Sequence, residues 1–389
     1  MTPAARLSAA IEVLDRIVAG QSAELALTNW GRSHRFAGSQ DRAALRDLVF
    51  DALRCRRSFA ALGGGETGRG LILGGLRDAG QDVAALFTGA RFAPAPVGTD
   101  EVGRLPGAAE ALDCPDWLIG PLQDSLGGQT EAILRAMRQR APIFLRVNLA
   151  LTTVAAAIAL LAQDGIAAQE HPLAKTALQV TENARKIQTS AAYLQGHTDL
   201  QDAASQAVVQ ALPLRPGLRV MDFCAGGGGK SLAMAALGAR VFAHDANAAR
   251  MTELPARAAR AKAQVTIVEN PAKTKPYDLI LTDVPCSGSG SWRRDPQGKW
   301  ALTAARLAEI HRLQAQILDR AAGLLAANGC LAYATCSLLR SENEAQIDGF
   351  LARHRGWKRE QSQRFTPLQG GDGFFVALLT APADHPTQL

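Results

Sequence analysis

The chain has 389 residues, 47% of them hydrophobic, and its 42 Lys or Arg against 36 Asp or Glu give a formal net charge of +6. That length predicts two or three domains, and that apolar fraction is ample for ordinary hydrophobic cores, which excludes a disordered or fibrous chain. The six cysteines include no C-x-x-C pair, which argues against both a disulfide framework and a zinc site and fits reduced thiols in a cytoplasm.

In chain order, "MTPAARLSAAIEVLDRIVAG" mixes acidic with apolar residues and has no signal-peptide core, and residues 1–90 read as helices forming a first domain. In "DRAALRDLVFDALRCRR", Leu45, Leu48, Val49 and Ala52 share one helical face. Arg42, Arg46, Arg54 and Arg57 share another, interrupted by Phe50, and form either a solvated surface or a phosphate-contacting stripe. The Gly- and Pro-rich stretch 91–110 reads as a linker. Over 111–200, helices near 115–140, the strand "IFLRVN", a helix over Val154–Leu161 and short strands near 167–195 predict a small α+β module. The longest apolar stretch, around 149–162, is too short to span a bilayer. From 201 to 389 the buried runs "LRVMDF", "RVFAH", "QVTIV", "YDLILTD", "CLAYAT" and "FFVALLT", with helices between some of them, predict an α/β domain with a mostly parallel, Rossmann-like sheet.

The chemistry gathers in that last domain. "VMDFCAGGGGKS" runs from a strand through four glycines into a helix, a turn that lets backbone N–H groups approach a nucleotide-like ligand; NAD, phosphate and S-adenosylmethionine all fit it. Asp245 ends the next strand, where a carboxylate accepts from both ribose hydroxyls of an adenosine. "YDLILTDVPCSGSGSWRRDPQGKW" ends its strand at Asp283, Pro285 and Cys286, then interleaves Arg293, Arg294 and Lys299 with Trp292 and Trp300, a mixture suited to nucleic acid or to anchoring a loop. The "DVPC" and "ATCS" strands are expected to be neighbours, so Cys286 and Cys336 face one crevice, whereas Cys55, Cys114 and Cys330 read as packing residues. Ser341 and Glu344 form an S-x-x-E pattern that predicts a capping box and a helix start soon after Cys336.

Together, "DFCAGGGGK", "DVPCSGSGSWRRDPQGKW", "YATCSLLRSEN" and "DGFFVALL" resemble the RsmB/Nop/Sun family of RNA 5-methylcytosine methyltransferases, in particular its bacterial rRNA branch. Upstream, "LQDAASQAVV" resembles the segment before the family's catalytic domain, "PIFLRVN" its small RNA-binding-like module and residues 1–90 its NusB-like helical domain. The resemblance implies that Cys224, Ala225, Gly226, Gly227, Gly228, Gly229 and Lys230 form the S-adenosylmethionine loop, that Asp245 holds the ribose, and that Asp283 lies beside cofactor and target base. It implies Cys336 as the nucleophile and Cys286 as the assisting thiol. Two departures stand out: Gly226 and Gly227 replace the Ala and Pro of C-A-A-P-G-G-K, and "VENPAK" offers Glu269 or Asn270 near the adenine, with neither assigned. The function this implies is methyl transfer to carbon 5 of a cytosine in small-subunit rRNA by a cytoplasmic monomer without metal or membrane. Transfer RNA as the substrate, a noncatalytic RNA-binding assembly factor and, more distantly, an NAD-dependent oxidoreductase are the rival readings; the last two leave the paired thiols without a task.

Overall fold

The protein is described from a computed structural model covering residues 1–383, and it divides into two units, Met1–Arg140 with Trp292–Ala301, and Ala141–Ser291 with Leu302 onward. The first unit is helical. Leu14, Val49, Leu71 and Trp30 come together in its core from helices Pro3–Val18, Ser39–Arg54, Gly68–Asp78 and Ala23–Ser33. Residues 87–109 contain neither helix nor strand, and helices Asp116–Leu126 and Thr130–Met137 lie within this same unit.

The second unit contains two sheets. The smaller is antiparallel, in the order β2-β3-β1-β4, from strands β1 (Ile143–Val147), β2 (Ala167–Glu170), β3 (Ala177–Glu182) and β4 (Thr198–Leu200). Leu145, Leu178 and Val180 on one face of it pack with Ala157 and Leu161 of helix Val154–Gln163.

The larger sheet has β5 (Arg219–Asp222), β6 (Arg240–Ala243), β7 (Val265–Ile267), β8 (Tyr277–Asp283) and β9 (Leu325–Thr335) in parallel. Two antiparallel strands, β10 (Lys358–Phe365) and β11 (Phe374–Thr380), complete the order β10-β11-β9-β8-β5-β6-β7. The sheet's central strands are buried on both faces. Along the central strands Leu279, Leu281, Ala332 and Ala334 enter one core, and Ile280, Leu331 and Tyr333 the other. This two-sided burial is why those strands read as continuous apolar runs rather than as alternation. The chain winds from β5 outward through β6 and β7, then returns to β8 on the other side of β5. Ligands of open α/β sheets bind where that reversal opens a crevice at the carboxyl ends of the strands.

Candidate active site

The crevice between β5 and β8 is floored by a tight glycine turn. Gly226 (φ 50°) and Gly228 (φ 78°) take left-handed conformations, and a Cβ on Gly228 would lie 2.2 Å from Leu254 Cδ1, so glycine is demanded there on two counts. Helix Gly229–Ala236 starts directly behind the turn. Asp245, two residues beyond β6, closes it: one carboxylate oxygen accepts from the Gly226 N–H at 2.9 Å and from Arg250 Nη1 at 3.0 Å, the other from the Asn247 N–H at 2.9 Å. Arg257 donates one guanidinium nitrogen to the Gly227 carbonyl and another to Asp199 at 2.7 Å. Thus the two glycines that depart from the expected turn sit under two arginines, Arg250 and Arg257, which nothing in the local sequence pattern singled out.

Asp222, at the end of β5, is buried; Ser231 donates to one of its oxygens at 2.6 Å and the other has no hydrogen-bond partner. Burial pushes its carboxyl up to about 6 from the ordinary 3.8. The folded state therefore holds this proton more tightly than the unfolded chain, an advantage present below pH 4 and lost as pH rises through 6. Asp222→Asn removes the titration, so the stability of the variant relative to the wild type should improve by about 2 kcal/mol between pH 4 and pH 7. Urea denaturation at both pH values measures this, and an unchanged difference would show that the carboxylate is not penalised.

The thiols meet at the next two strand ends. Asp283 of β8 pairs with Ala334 of β9, and the Val284 N–H donates to the Ala334 carbonyl at 3.0 Å, so the chain segments carrying Cys286 and Cys336 leave the sheet side by side. Their sulfurs are 3.2 Å apart. The hydrogen bond with Cys336, then burial, pushes the Cys286 thiol well above its ordinary value, which favours its protonated form, and in the contact between the sulfurs either can donate. Lys230, from the helix behind the glycine turn, reaches Asp283 at 2.6 Å. Burial opposes the charge of Lys230, but Asp283, together with Asp222 and Cys336, outweighs it and its pKa is raised. Cys224 is a partly buried thiol pushed upward by burial, at the start of the turn. The turn, Asp245, Asp283, Lys230 and both thiols therefore line one edge of the sheet.

Other expectations meet a different arrangement. Arg46 is held by both oxygens of Glu24, Arg57 by Asp116 and the Cys114 carbonyl, Arg42 by the Ala37 carbonyl, and Arg54 is buried against Asp51. These four arginines make contacts within the first unit, and the Arg46 side chain stays half exposed while paired with Glu24. Lys299 and Trp300 likewise belong to that unit: Trp300 Nε1 donates to Leu53 O at 2.7 Å, and Lys299 donates to the carbonyls of Arg54 and Asp113. They satisfy the last carbonyls of helix Ser39–Arg54, where a cation is also favoured by the helix dipole. The capping box does not form. Helix Glu344–Arg353 starts after Asn343, and Glu344 instead pairs with Arg364 of β10 through both its oxygens at 2.7 Å. Glu269 and Asn270 are both exposed, and the Asn270 side chain caps the short turn Pro271–Lys273. Among the described residues no group of His, Cys, Asp or Glu could hold a metal ion, and no helix is long and apolar enough to cross a membrane.

Residues 209–385 match the family model described as 16S rRNA methyltransferase RsmB/F, and residues 114–187 match an RsmF/B-like ferredoxin-like domain. The ribosomal RNA small subunit methyltransferase B of Xanthomonas campestris is 32% identical over 297 residues, covering 70% of this chain and 68% of that protein. The chain belongs to the RsmB/F family. The protein of the same description from Serratia proteamaculans is 32% identical over 282 residues, and the match spans 68% of this RsmB/F chain but 66% of the relative's own length. Among solved structures, that of PH0851 superposes with a TM-score of 0.76 at 22% identity, over 97% of this chain and 99% of the other, which shows a shared fold.

Proposed function

We propose that this RsmB/F protein transfers a methyl group from S-adenosylmethionine to carbon 5 of a cytosine in small-subunit ribosomal RNA, through a covalent adduct on Cys336. The observation that carries the reading is the pair of sulfurs 3.2 Å apart beside the Lys230–Asp283 ion pair. A binding module needs neither thiol.

The crevice suits the cofactor. Asp245 offers a carboxylate to the ribose hydroxyls, and the backbone from Cys224 to Lys230, opened by Gly226 and Gly228, admits close approach. When bound, S-adenosylmethionine supplies the electrophilic sulfonium methyl that carbon 5 takes. The chain does the rest. Carbon 5 of cytosine is a weak nucleophile until the Cys336 sulfur bonds to carbon 6 and makes the ring enamine-like. Asp283, fixed by Lys230, faces the polar edge of the base and stabilises charge that develops there. Afterwards the carbon-5 proton passes to solvent, the electron pair of that C–H bond restores the ring double bond, and the carbon–sulfur bond breaks with its electron pair leaving on the Cys336 sulfur as thiolate. Cys286, protonated and in contact with Cys336, assists this step by donating to the departing thiolate. A paired target base must first leave its stack. This reading makes the protein a cytoplasmic monomer whose partner is RNA.

Labelled S-adenosylmethionine incubated with small-subunit rRNA lacking the mark should label it, and bisulfite mapping should find one new 5-methylcytosine. Label appearing in tRNA alone, or in no RNA, would refute the substrate or the activity. Asp245→Ala should weaken cofactor binding by about 1–3 kcal/mol through loss of charge-assisted hydrogen bonds. Calorimetry without RNA measures it, and undiminished affinity would remove Asp245 from the cofactor site.

A further inference from the structure

One carboxylate in the second unit is fully buried among neutral donors. Glu342, in the short helical turn Arg340–Glu342, has 0% exposure. One of its oxygens accepts from the Ser287 N–H at 2.8 Å and from Gln314 Nε2 at 3.1 Å; the other accepts from the hydroxyls of Ser287 and Ser337, each at 2.5 Å. These four donors fill the acceptor capacity of a carboxylate, and an amide in its place offers only one acceptor oxygen. Gln314, itself buried in helix Ala304–Ala322, also donates to the Pro285 carbonyl at 3.0 Å. Ser287 follows Cys286 in the chain, and Ser337 follows Cys336.

We propose that Glu342 is a positioning residue for methyl transfer: its carboxylate joins the loop that carries Cys286 to the loop that carries Cys336 and thereby sets the separation of the two thiols. The proposal rests on the functional reading given above. The surroundings support the clamp from both sides. Ser289 bridges the same two loops, its hydroxyl 2.9 Å from that of Ser337 while accepting from the Leu338 N–H at 2.8 Å. Glu342 is held in turn, since its own carbonyl accepts from the Tyr333 hydroxyl at 2.6 Å. Its neighbour Asn343 accepts from Thr335 at 2.6 Å and donates to the Ser337 carbonyl at 2.9 Å.

Burying a carboxylate among neutral donors is expensive, and a stack of apolar side chains would join two loops at lower cost. What a carboxylate adds is direction: donors from three separate segments converge on two atoms, and the loops they hold carry the sulfurs. A displacement of about 1 Å at such a site costs about a hundredfold in rate.

The test uses the full chain, with kcat and the KM for unmethylated small-subunit rRNA measured by label transfer, cofactor affinity by calorimetry and folding by thermal denaturation. Glu342→Ala should lower kcat about a hundredfold, with KM within about threefold and cofactor affinity unchanged. In Glu342→Gln the amide oxygen takes the two N–H donors and the amide nitrogen donates to the two hydroxyl oxygens, so kcat should stay within about tenfold of wild type. A folded Glu342→Ala chain with wild-type kcat overturns the proposal. So does a Glu342→Gln chain as slow as Glu342→Ala, because charge rather than position would then be the cause. Where Glu342→Ala does not fold, Ser287→Ala and Ser337→Ala each leave both N–H donors on the carboxylate. Each should then lower kcat about tenfold, and unchanged kcat in both would overturn the clamp. Failure of the functional reading looks different: a wild-type chain without methyl transfer, or full transfer by Cys336→Ala.

Discussion

Cys336→Ala is expected to show essentially no methyl transfer and no covalent protein–RNA species, while binding S-adenosylmethionine as the wild type does. In the proposed function the cofactor is held by the glycine turn and Asp245, whose hydrogen bonds do not involve this sulfur. Cys286→Ala is expected to fail at a later stage. In the proposed scheme Cys336 can still attack carbon 6, but its departing thiolate has lost a donor 3.2 Å away. The methylated adduct should therefore accumulate as a species that survives denaturing gels when S-adenosylmethionine is present, with turnover falling by about 10²–10⁴-fold as for loss of a positioned proton donor. Adduct trapping with wild type and both variants, with labelled RNA, measures the pattern. The reverse pattern, a trapped complex in Cys336→Ala and none in Cys286→Ala, would exchange the two roles. Full activity in both variants would return the pair to packing.

The sequence was most readable where physics acts locally. β5, β6, β8 and β9 stand out because the sheet is covered on both faces there, and the glycine turn stands out because left-handed φ values demand that residue type. β10 gives no such signal: "KREQSQRF" is an exposed edge strand, and its polar residues hide it among loops. Charged residues were the least legible. Arg42, Arg46, Arg54 and Arg57 share a helical face, but whether such a face meets phosphate or its own chain depends on Glu24, Asp51 and Asp116, which helical periodicity does not report. Glu344 has the spacing of a cap, but Arg364, far along the chain, is a stronger partner than a backbone N–H. Glu342 carries no sequence signal, since a glutamate between a serine and an asparagine reads as surface until the fold brings Ser287 and Gln314 to it. Neighbouring strands placed Cys286 and Cys336 at one edge from topology alone, whereas the contact between their sulfurs depends on two loops whose geometry is set by such long-range bonds.

Gly290→Ala is expected to be among the most damaging single changes in the second unit, although it adds one methyl group. A Cβ at Gly290 would lie 2.0 Å from the Gly373 carbonyl oxygen and 2.6 Å from Gly373 Cα, both backbone atoms that no rotamer change can move. Gly290 also donates its N–H to the Cys336 carbonyl at 2.9 Å and accepts from the Gly373 N–H at 2.9 Å. It thus ties together the loop after Cys286, the loop at Cys336 and the start of β11. Relief of the clash requires the Gly290 and Gly373 backbones to separate, which breaks one of those bonds and strains the other in a buried setting. Overpacking of this kind costs about 1–3 kcal/mol, and an unpaired buried peptide group adds about 1–3 kcal/mol. Stability should therefore fall by about 3 kcal/mol or more, measured by urea denaturation. At temperatures where the variant remains folded, kcat should fall by about a hundredfold, because any shift of Gly290 is passed through its bond to the Cys336 carbonyl. A variant as stable and as fast as the wild type would mean that the two backbones part without disturbing the thiols, and that the tie through Gly290 plays no part in holding Cys336.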